Sequence, residues 1–371
     1  MHILLAPDSF KESLSAKQVA EALKKGFQEA LPDATFDLLP IGDGGEGTMD
    51  TLAGVLNLTK KHTQVTGPFG KPVSMAYYRK DEMAFFEMAS LVGLGSIPAE
   101  KRNPLELETR GIGELILQLV DQGVKTICVG IGGSATNDGG IGMAAGLGVA
   151  FYDDQGHLLR PVGASIGRVA RIDTSAVPKA LQDIELQVLT DVTNPLCGSQ
   201  GATYIFGGQK GLNPLLFPAV DQAMQDFYQL ADARILSMPS AGAGGGMAAG
   251  LVAFAGGKIS SGIEKSLDLI DFNHKVQKAD LVVVGEGRMD LQSLSGKAPV
   301  GVAKRTPEKI PVIAICGSLA EDLPAFPSHH IEAAFSIVPV PCEVADALAH
   351  AERNLISCAR NIGNLLKIKA N

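Results

Sequence analysis

Charge is in short supply. Asp, Glu, Lys and Arg make up 19 % of the 371 residues, against about 25 % in an ordinary globular protein. No Lys/Arg block reaches five residues, and the formal net charge is −8. The basic footprint of a nucleic-acid binder is therefore absent, and an anionic small ligand would need local cations. Cys128, Cys197, Cys316, Cys342 and Cys358 are odd in number and never form Cys-x-x-Cys, which argues against a disulfide framework or zinc knuckle and for a reducing cytosol. The histidines show no His-x-x-x-His or His-Glu-x-x-His spacing, so a zinc enzyme is not expected. The first apolar stretch stops at Ala6, before Asp8 and Lys11, well short of the roughly 7 to 15 residues of a signal-peptide core. Ile235 to Gly257 carries no charge but holds seven glycines and Pro239, and reads as a loop plus a buried helix, not a bilayer span. The expectation is a cytoplasmic protein with neither membrane nor nucleic-acid partner, homo-oligomerisation being left open.

What the chain has in excess is glycine, 43 residues, about 12 % where roughly 7 % is usual. No Gly-X-Y period accompanies it, which points to tight loops. Hydrophobic residues reach 46 %, enough for a large core, and the length suggests about two domains. His2 to Ala6 reads as a strand, and Ser15-x-x-Gln18 as a capping box opening a helix with Val19, Leu23 and Phe27 on one face. Thr35 to Ile41 and a helix through Met49, Leu52 and Val55 form a second βα unit. From Leu58 to Met88 the pattern alternates around a Gly67 to Pro72 turn, which predicts antiparallel strands and a boundary near residue 60. Helix Thr109 to Asp121, strand Thr126 to Gly130, strand Glu185 to Leu189 and a helix from Asn213 to Ala231 follow, with little legible between Asp154 and Ile184. The α/β rhythm then returns: strands Leu281 to Val284, Val312 to Cys316 and Ala334 to Val338, helix Gly296 to Lys304, and a closing helix from Glu343 to about Leu366.

The strands predict an α/β protein of two lobes. Residues 1–60 and 258–371 form a discontinuous parallel-sheet domain, interrupted by a second α/β domain with some antiparallel strands over residues 61–257, and the site is expected in the cleft between them.

Five loops at strand ends carry acids, amides or cations, three of them together with glycine. They are Ala6 to Lys11, Gly42 to Thr48, Gly130 to Gly140, Asp191 to Pro195 and Gly285 to Asp290. Glycine lets backbone N–H groups approach anionic oxygens, and clustered carboxylates suit Mg²⁺ bridging phosphates. Any single acid is as well explained by a turn or a helix cap; repetition at five strand ends is what points to a polar anion or metal site. Lys11, Lys210, Arg288 and Lys297 lie in or beside these polar segments, where Arg grips a carboxylate bidentately and Lys serves phosphate as a point charge.

Standard signatures are missing. None of the Gly-Lys pairs at Gly70, Gly257 and Gly296 belongs to a P-loop, and neither the protein-kinase motif set nor a G-x-S-x-G elbow occurs. One rival stands: Gly130-Ile131-Gly132-Gly133-Ser134-Ala135 matches the dinucleotide fingerprint, with Asp153 about 23 residues on. Against it, Asn137-Asp138-Gly139-Gly140 occupies the place where the fingerprint's helix should already run.

Taken together, Ala6-Pro7-Asp8-Ser9-Phe10-Lys11, Asp43-Gly44-Gly45-Glu46-Gly47-Thr48, the Gly130 to Gly140 segment, Asp191-Val192-Thr193-Asn194-Pro195-Leu196-Cys197-Gly198, Phe206-Gly207-Gly208-Gln209-Lys210-Gly211, Gly285-Glu286-Gly287-Arg288 and Gln292 to Lys297 resemble the type-1 glycerate kinase family of bacteria. Departures are small: Glu12 stands where the family often has Gly, and Arg110 to Gly113 where it often has a Ser/Tyr-containing turn. The resemblance covers nearly the whole chain. It implies a flavodoxin-like lobe interrupted by a second lobe, and transfer of the γ-phosphoryl of ATP to D-glycerate, favouring 2-phosphoglycerate. Phosphoryl transfer by positioning and electrostatics nominates Asp8, Asp43, Asp191 and Glu286 for Mg²⁺ and for the base, with Glu46 as a further metal ligand. Lys11, Arg288 and Lys210 are the candidate cations. Gly132, Gly133, Ser134, Asn137, Asp138, Lys210, Gly285 and Gly287 are the candidates for holding ATP. The alternatives are a kinase of another small hydroxy acid, an NAD-dependent dehydrogenase, and a sensor that binds without turnover.

Overall fold

Five short apolar runs from the two ends of the chain assemble one sheet, in a computed structural model that describes residues 1–42, 47–294 and 296–370. The chain divides into two compact units, one of Met1–Asp43, Asp50–Asn57 and Gly262–Asn371, the other of Gly44–Met49 and Leu58–Ser261. In the first, the strand order is Ala333–Ser336, Val312–Cys316, Leu281–Gly285, His2–Pro7, Thr35–Leu38, and every pairing is parallel. Counted along this unit the order is 5-4-3-1-2, the flavodoxin-like arrangement. Leu281–Gly285 and Val312–Cys316 are buried at every position, which is why they read as unbroken apolar runs without alternation.

Helix Ala16–Ala30 starts at the capping box of Ser15 and Gln18 and buries Val19, Leu23 and Phe27 with Ile3, Leu5, Val283 and Ile315. Leu355, Ala359 and Ile362 of helix Ala351–Ala370 join the same core. The closing helix is two segments, Val344–Ala349 and Ala351–Ala370. The break falls at His350, which leaves helical dihedral angles (φ −108°, ψ 9°) while its carbonyl accepts from Asn354 N to start the second segment.

The second unit carries a six-stranded mixed sheet in the order Lys258–Ser260, Glu185–Leu189, Thr126–Gly130, Met83–Glu87, Pro72–Lys80, Thr59–Thr66. Its first four strands run parallel and its last two complete an antiparallel meander, closed where Gly67 N donates to Lys71 O. Pro214 and Pro218 shorten the helix expected from Asn213: a 3₁₀ turn, Pro214–Leu216, precedes helix Phe217–Ala231, proline being suited to a first turn. The uncharged Ile235 to Gly257 stretch holds glycine-rich turns and the buried helix Met247–Ala255. Among the described residues no helix is long and apolar enough to cross a membrane. All five cysteines are free.

The dinucleotide fingerprint lacks its geometry. The helix after strand Thr126–Gly130 begins only at Ile141, preceded by Gly140 at φ 74°. Asp153 is occupied by its own turn, accepting from Gln155 N and His157 N and pairing with Arg168.

Candidate active site

In a flavodoxin-like sheet the strand order reverses between the first and third strands, and ligands gather at the carboxyl ends of that pair. Here those strands are His2–Pro7 and Leu281–Gly285, in register with Pro7 opposite Gly285. Asp8 N donates to Gly285 O at 2.8 Å, so Asp8 and Glu286 leave adjacent strand ends together. Gly285 permits this packing because a Cβ there would stand 2.2 Å from the Ile315 carbonyl oxygen. Gly287 faces Phe10 and Lys11 of the neighbouring loop.

Glu286 is the electrostatic anomaly of this unit. Burial pushes its carboxyl up to about 7; Ser293 and Lys297 oppose that rise, and the Asp8 and Asp290 carboxylates add to it. Its Oε1 is buried without a hydrogen-bond partner among the described residues. A buried orphan carboxylate oxygen calls for a proton or a cation. Lys11 and Arg288 are exposed. Asp43 and Glu46 lie outside the described residues. No group of three His, Cys, Asp or Glu side chains able to hold a metal occurs among those described, so the fit to Mg²⁺ rests on the hard, unsatisfied oxygen of Glu286 beside Asp8.

The second unit presents a different chemistry. Lys210 ends a 3₁₀ turn, Gly208–Lys210, and is only 3 % exposed. Its ammonium donates to Ser134 Oγ at 2.9 Å and to the Thr136 carbonyl at 2.7 Å. Burial pulls its pKa down to about 7, against the opposing pull of Asp138. Gly132, Gly133 and Ser134 line a cavity of about 120 Å³ with Lys210, together with Leu94, Ile131, Thr190, Val192, Phe206, Gln209, Ala243 and Gly244. Asp191 lies between two of these lining residues, and its Oδ1 accepts from Ser261 Oγ at 2.7 Å.

Asn137 and Asp138 are turned into the core. Asp138 is fully buried; its carboxylate accepts from Thr109 Oγ1 at 2.6 Å and from Gly140 N at 3.0 Å, and burial raises its pKa. Asn137 Nδ2 donates to Thr203 Oγ1, while Asn137 Oδ1 and Thr136 Oγ1 have no partner among the described residues. The Gly242 to Gly246 cluster backs this loop: a Cβ on Gly245 would stand 2.0 Å from the Thr136 carbonyl oxygen.

Of the sequence candidates, then, Asp8, Gly285, Glu286 and Gly287 meet in one unit, and Gly132, Gly133, Ser134 and Lys210 in the other. Sequence reasoning missed Ser293 beside Glu286 and most of the cavity wall. Thr190 and Val192 flank Asp191, and Phe206 and Gln209 belong to the Phe206 to Gly211 segment, so the signal was present without a role attached. The larger groove of about 860 Å³, lined by Lys25, Glu29, Arg353 and Arg360 among others, contains none of the candidates, and the chemistry outweighs its size.

Comparison with known proteins matches residues 3–367 to the Glycerate kinase family. The chain is 55 % identical to a glycerate kinase of Neisseria meningitidis serogroup B, over 99 % of both chains. It is 41 % identical to a glycerate 2-kinase of Escherichia coli K12, over 99 % of this chain and 98 % of that one. Among solved structures it is similar to a crystal structure assigned as a glycerate kinase 2 from Salmonella typhimurium LT2, with a TM-score of 0.86, 41 % identity and coverage of 100 % and 99 %.

Proposed function

The chain belongs to the glycerate kinase family, and from that premise we propose that it transfers the γ-phosphoryl group of ATP to D-glycerate in the cytoplasm, with Mg²⁺ as the divalent ion and 2-phosphoglycerate as product. The observation that carries this reading is the 55 % identity to the Neisseria enzyme over 99 % of both chains. The name of the Escherichia coli relative, a glycerate 2-kinase, supports the 2-position.

In-line phosphoryl transfer needs charge stabilisation and positioning more than covalent help. Mg²⁺, when bound, neutralises charge developing on the phosphate oxygens; Glu286 and Asp8 would hold it, with Asp191, Asp43 and Glu46 as the remaining candidates. As the alternative to that role, Glu286, raised to about 7 by burial and by Asp8 and Asp290 in the absence of a cation, is suited to accept the glycerate hydroxyl proton at a carboxylate oxygen while Asp8 and the remaining acids hold the ion. Lys11, Arg288 and Lys210 supply cations for the substrate carboxylate and the phosphoryl group. The Gly132 to Ser134 turn offers backbone donors to anionic oxygens. Asn137 and Asp138 contribute by fixing that turn from behind, and Gly285 and Gly287 by letting the acidic loops pack closely.

The test is ADP release by the full chain with ATP, Mg²⁺ and D-glycerate, followed by phosphorus NMR of the product. Turnover to 2-phosphoglycerate is expected. A folded chain that releases no glycerate-dependent ADP overturns the activity, and a 3-phosphoglycerate product overturns the regiochemistry alone.

A further inference from the structure

We infer that the cavity beside Lys210 seats the carboxylate end of the hydroxy acid and excludes the nucleotide. The inference rests on the kinase reading above and assigns one of its two substrates to one set of residues.

The first argument is charge. Lys210 lies almost wholly out of water, yet both hydrogen bonds of its ammonium go to neutral oxygens, those of Ser134 and Thr136. No carboxylate lies within ion-pair distance among the described residues; Asp138 acts on it only at longer range. An ammonium has three donors, so one remains, on a side chain that lines a cavity. A buried cation without a contact anion is unfavourable, and a ligand carboxylate supplies what is missing.

The second argument is size. A cavity of about 120 Å³ corresponds to roughly four waters at about 30 Å³ each. A three-carbon acid of about seven heavy atoms is of that order, whereas ligands the size of a nucleotide fill pockets of about 300–1,000 Å³.

The third argument is the lining. Leu94, Ile131, Val192 and Phe206 bring apolar surface to a lining whose polar groups are Ser134, Thr190, Gln209 and Lys210. That suits an acid with one charged end and a short carbon chain. A triphosphate would meet a single cation, where phosphate sites gather several donors and charges.

The experiment uses the full chain and two variants, Lys210→Met, which removes the charge at similar length, and Val192→Phe, which fills the half-buried rim. KM is measured for D-glycerate at saturating ATP and for ATP at saturating D-glycerate, and D-glycerate alone is titrated calorimetrically. Each variant is expected to raise the KM for D-glycerate and weaken its direct binding at least tenfold, with the KM for ATP changing less than twofold. A tenfold rise in the KM for ATP with D-glycerate unaffected overturns the inference, as do unchanged constants for both. If Lys210→Met fails to fold, Val192→Phe decides alone. Failure of the kinase reading shows separately, as an unaltered chain that does not phosphorylate D-glycerate. In that case the calorimetry still decides: D-glycerate binding lost in the variants supports the cavity assignment, and no binding to the unaltered chain overturns it.

Discussion

Tyr228 Oη donates to the Gly139 carbonyl oxygen at 2.6 Å, with both partners buried. The bond ties helix Phe217–Ala231 to the irregular loop that carries Ser134. The same loop is held by the Thr109 hydroxyl on Asp138 and by the close approach of Gly245 to Thr136. A loop with positive φ at Gly133, Gly139 and Gly140 belongs to no strand ladder, so these clasps hold its shape together with the backbone bonds of Ala135 to Val92, Asn137 to Pro104 and Gly139 to Gly245. Burial raises the Tyr228 pKa well above its usual value, keeping the phenol a neutral donor.

Tyr228→Phe keeps the ring and removes the donor, leaving the Gly139 carbonyl unpaired inside the core. A buried polar group without its partner costs about 1–3 kcal/mol. The urea midpoint should fall accordingly with little change in slope. A midpoint equal to that of the unaltered chain would show that the bond does not hold the loop.

Gly285→Ala and Gly54→Ala separate two kinds of glycine. A Cβ on Gly285 would meet the Ile315 carbonyl oxygen at 2.2 Å, so two paired strands must move apart, at a cost of about 1–3 kcal/mol, and the displaced loop carries Glu286. Gly54 lies in helix Thr48–Leu56 with nothing within 4 Å of a built Cβ, where Ala is better by about 0.5–1 kcal/mol. Thermal unfolding should move down for the first and up or not at all for the second. Equal shifts in both would remove close strand packing as the reason for Gly285.

The sheet was legible because its signal is local. Glu185–Leu189 and Val312–Cys316 appear in the sequence as bounded apolar runs, and Ser15 with Gln18 marks a helix start whose capping box is present. Residues 154–184 were not legible, because they form 3₁₀ turns such as Gly163–Arg168 and Lys179–Asp183 and the short strand Arg171–Asp173, none long enough for a period to show. The site was legible by residue type and not by orientation. Asp138 in a glycine-rich loop looks like a ligand group, yet it faces the core and serves the loop. Whether a side chain points at solvent or at Thr109 is decided by packing across 29 residues of sequence, which no local pattern records.

Glu286→Gln tests the acidic cluster twice. If Glu286 takes the hydroxyl proton, kcat should fall by about 10²–10⁴. Its folded-state pKa of about 7 lies above the ordinary 4.5, so the folded chain binds a proton more readily than the unfolded one. The stability this contributes is complete below pH 4.5 and is lost as pH rises through 7. The glutamine variant should therefore gain on the unaltered chain between pH 4.5 and 7, by about 1–3 kcal/mol in all, and keep a constant lead above. A stability difference independent of pH would mean that Glu286 titrates normally.

Lys210 gives the opposite sign. Its pKa of about 7 in the folded chain lies below the ordinary 10.5, so between those values the unfolded chain holds the extra proton. Stability must then rise with pH across that window, and the penalty of the buried ammonium is complete only below 7. Measured against Lys210→Met, which cannot titrate, the unaltered chain should gain up to about 1.4 kcal/mol per pH unit between pH 7 and 9.5. Saturating D-glycerate should flatten that slope, since a carboxylate beside the amine favours the ammonium and returns its pKa towards the ordinary value. Denaturation series for both proteins, with and without D-glycerate, provide the check. Parallel pH curves without ligand would show that the amine stays charged in its cavity, and an unflattened slope with ligand would show that D-glycerate does not reach it.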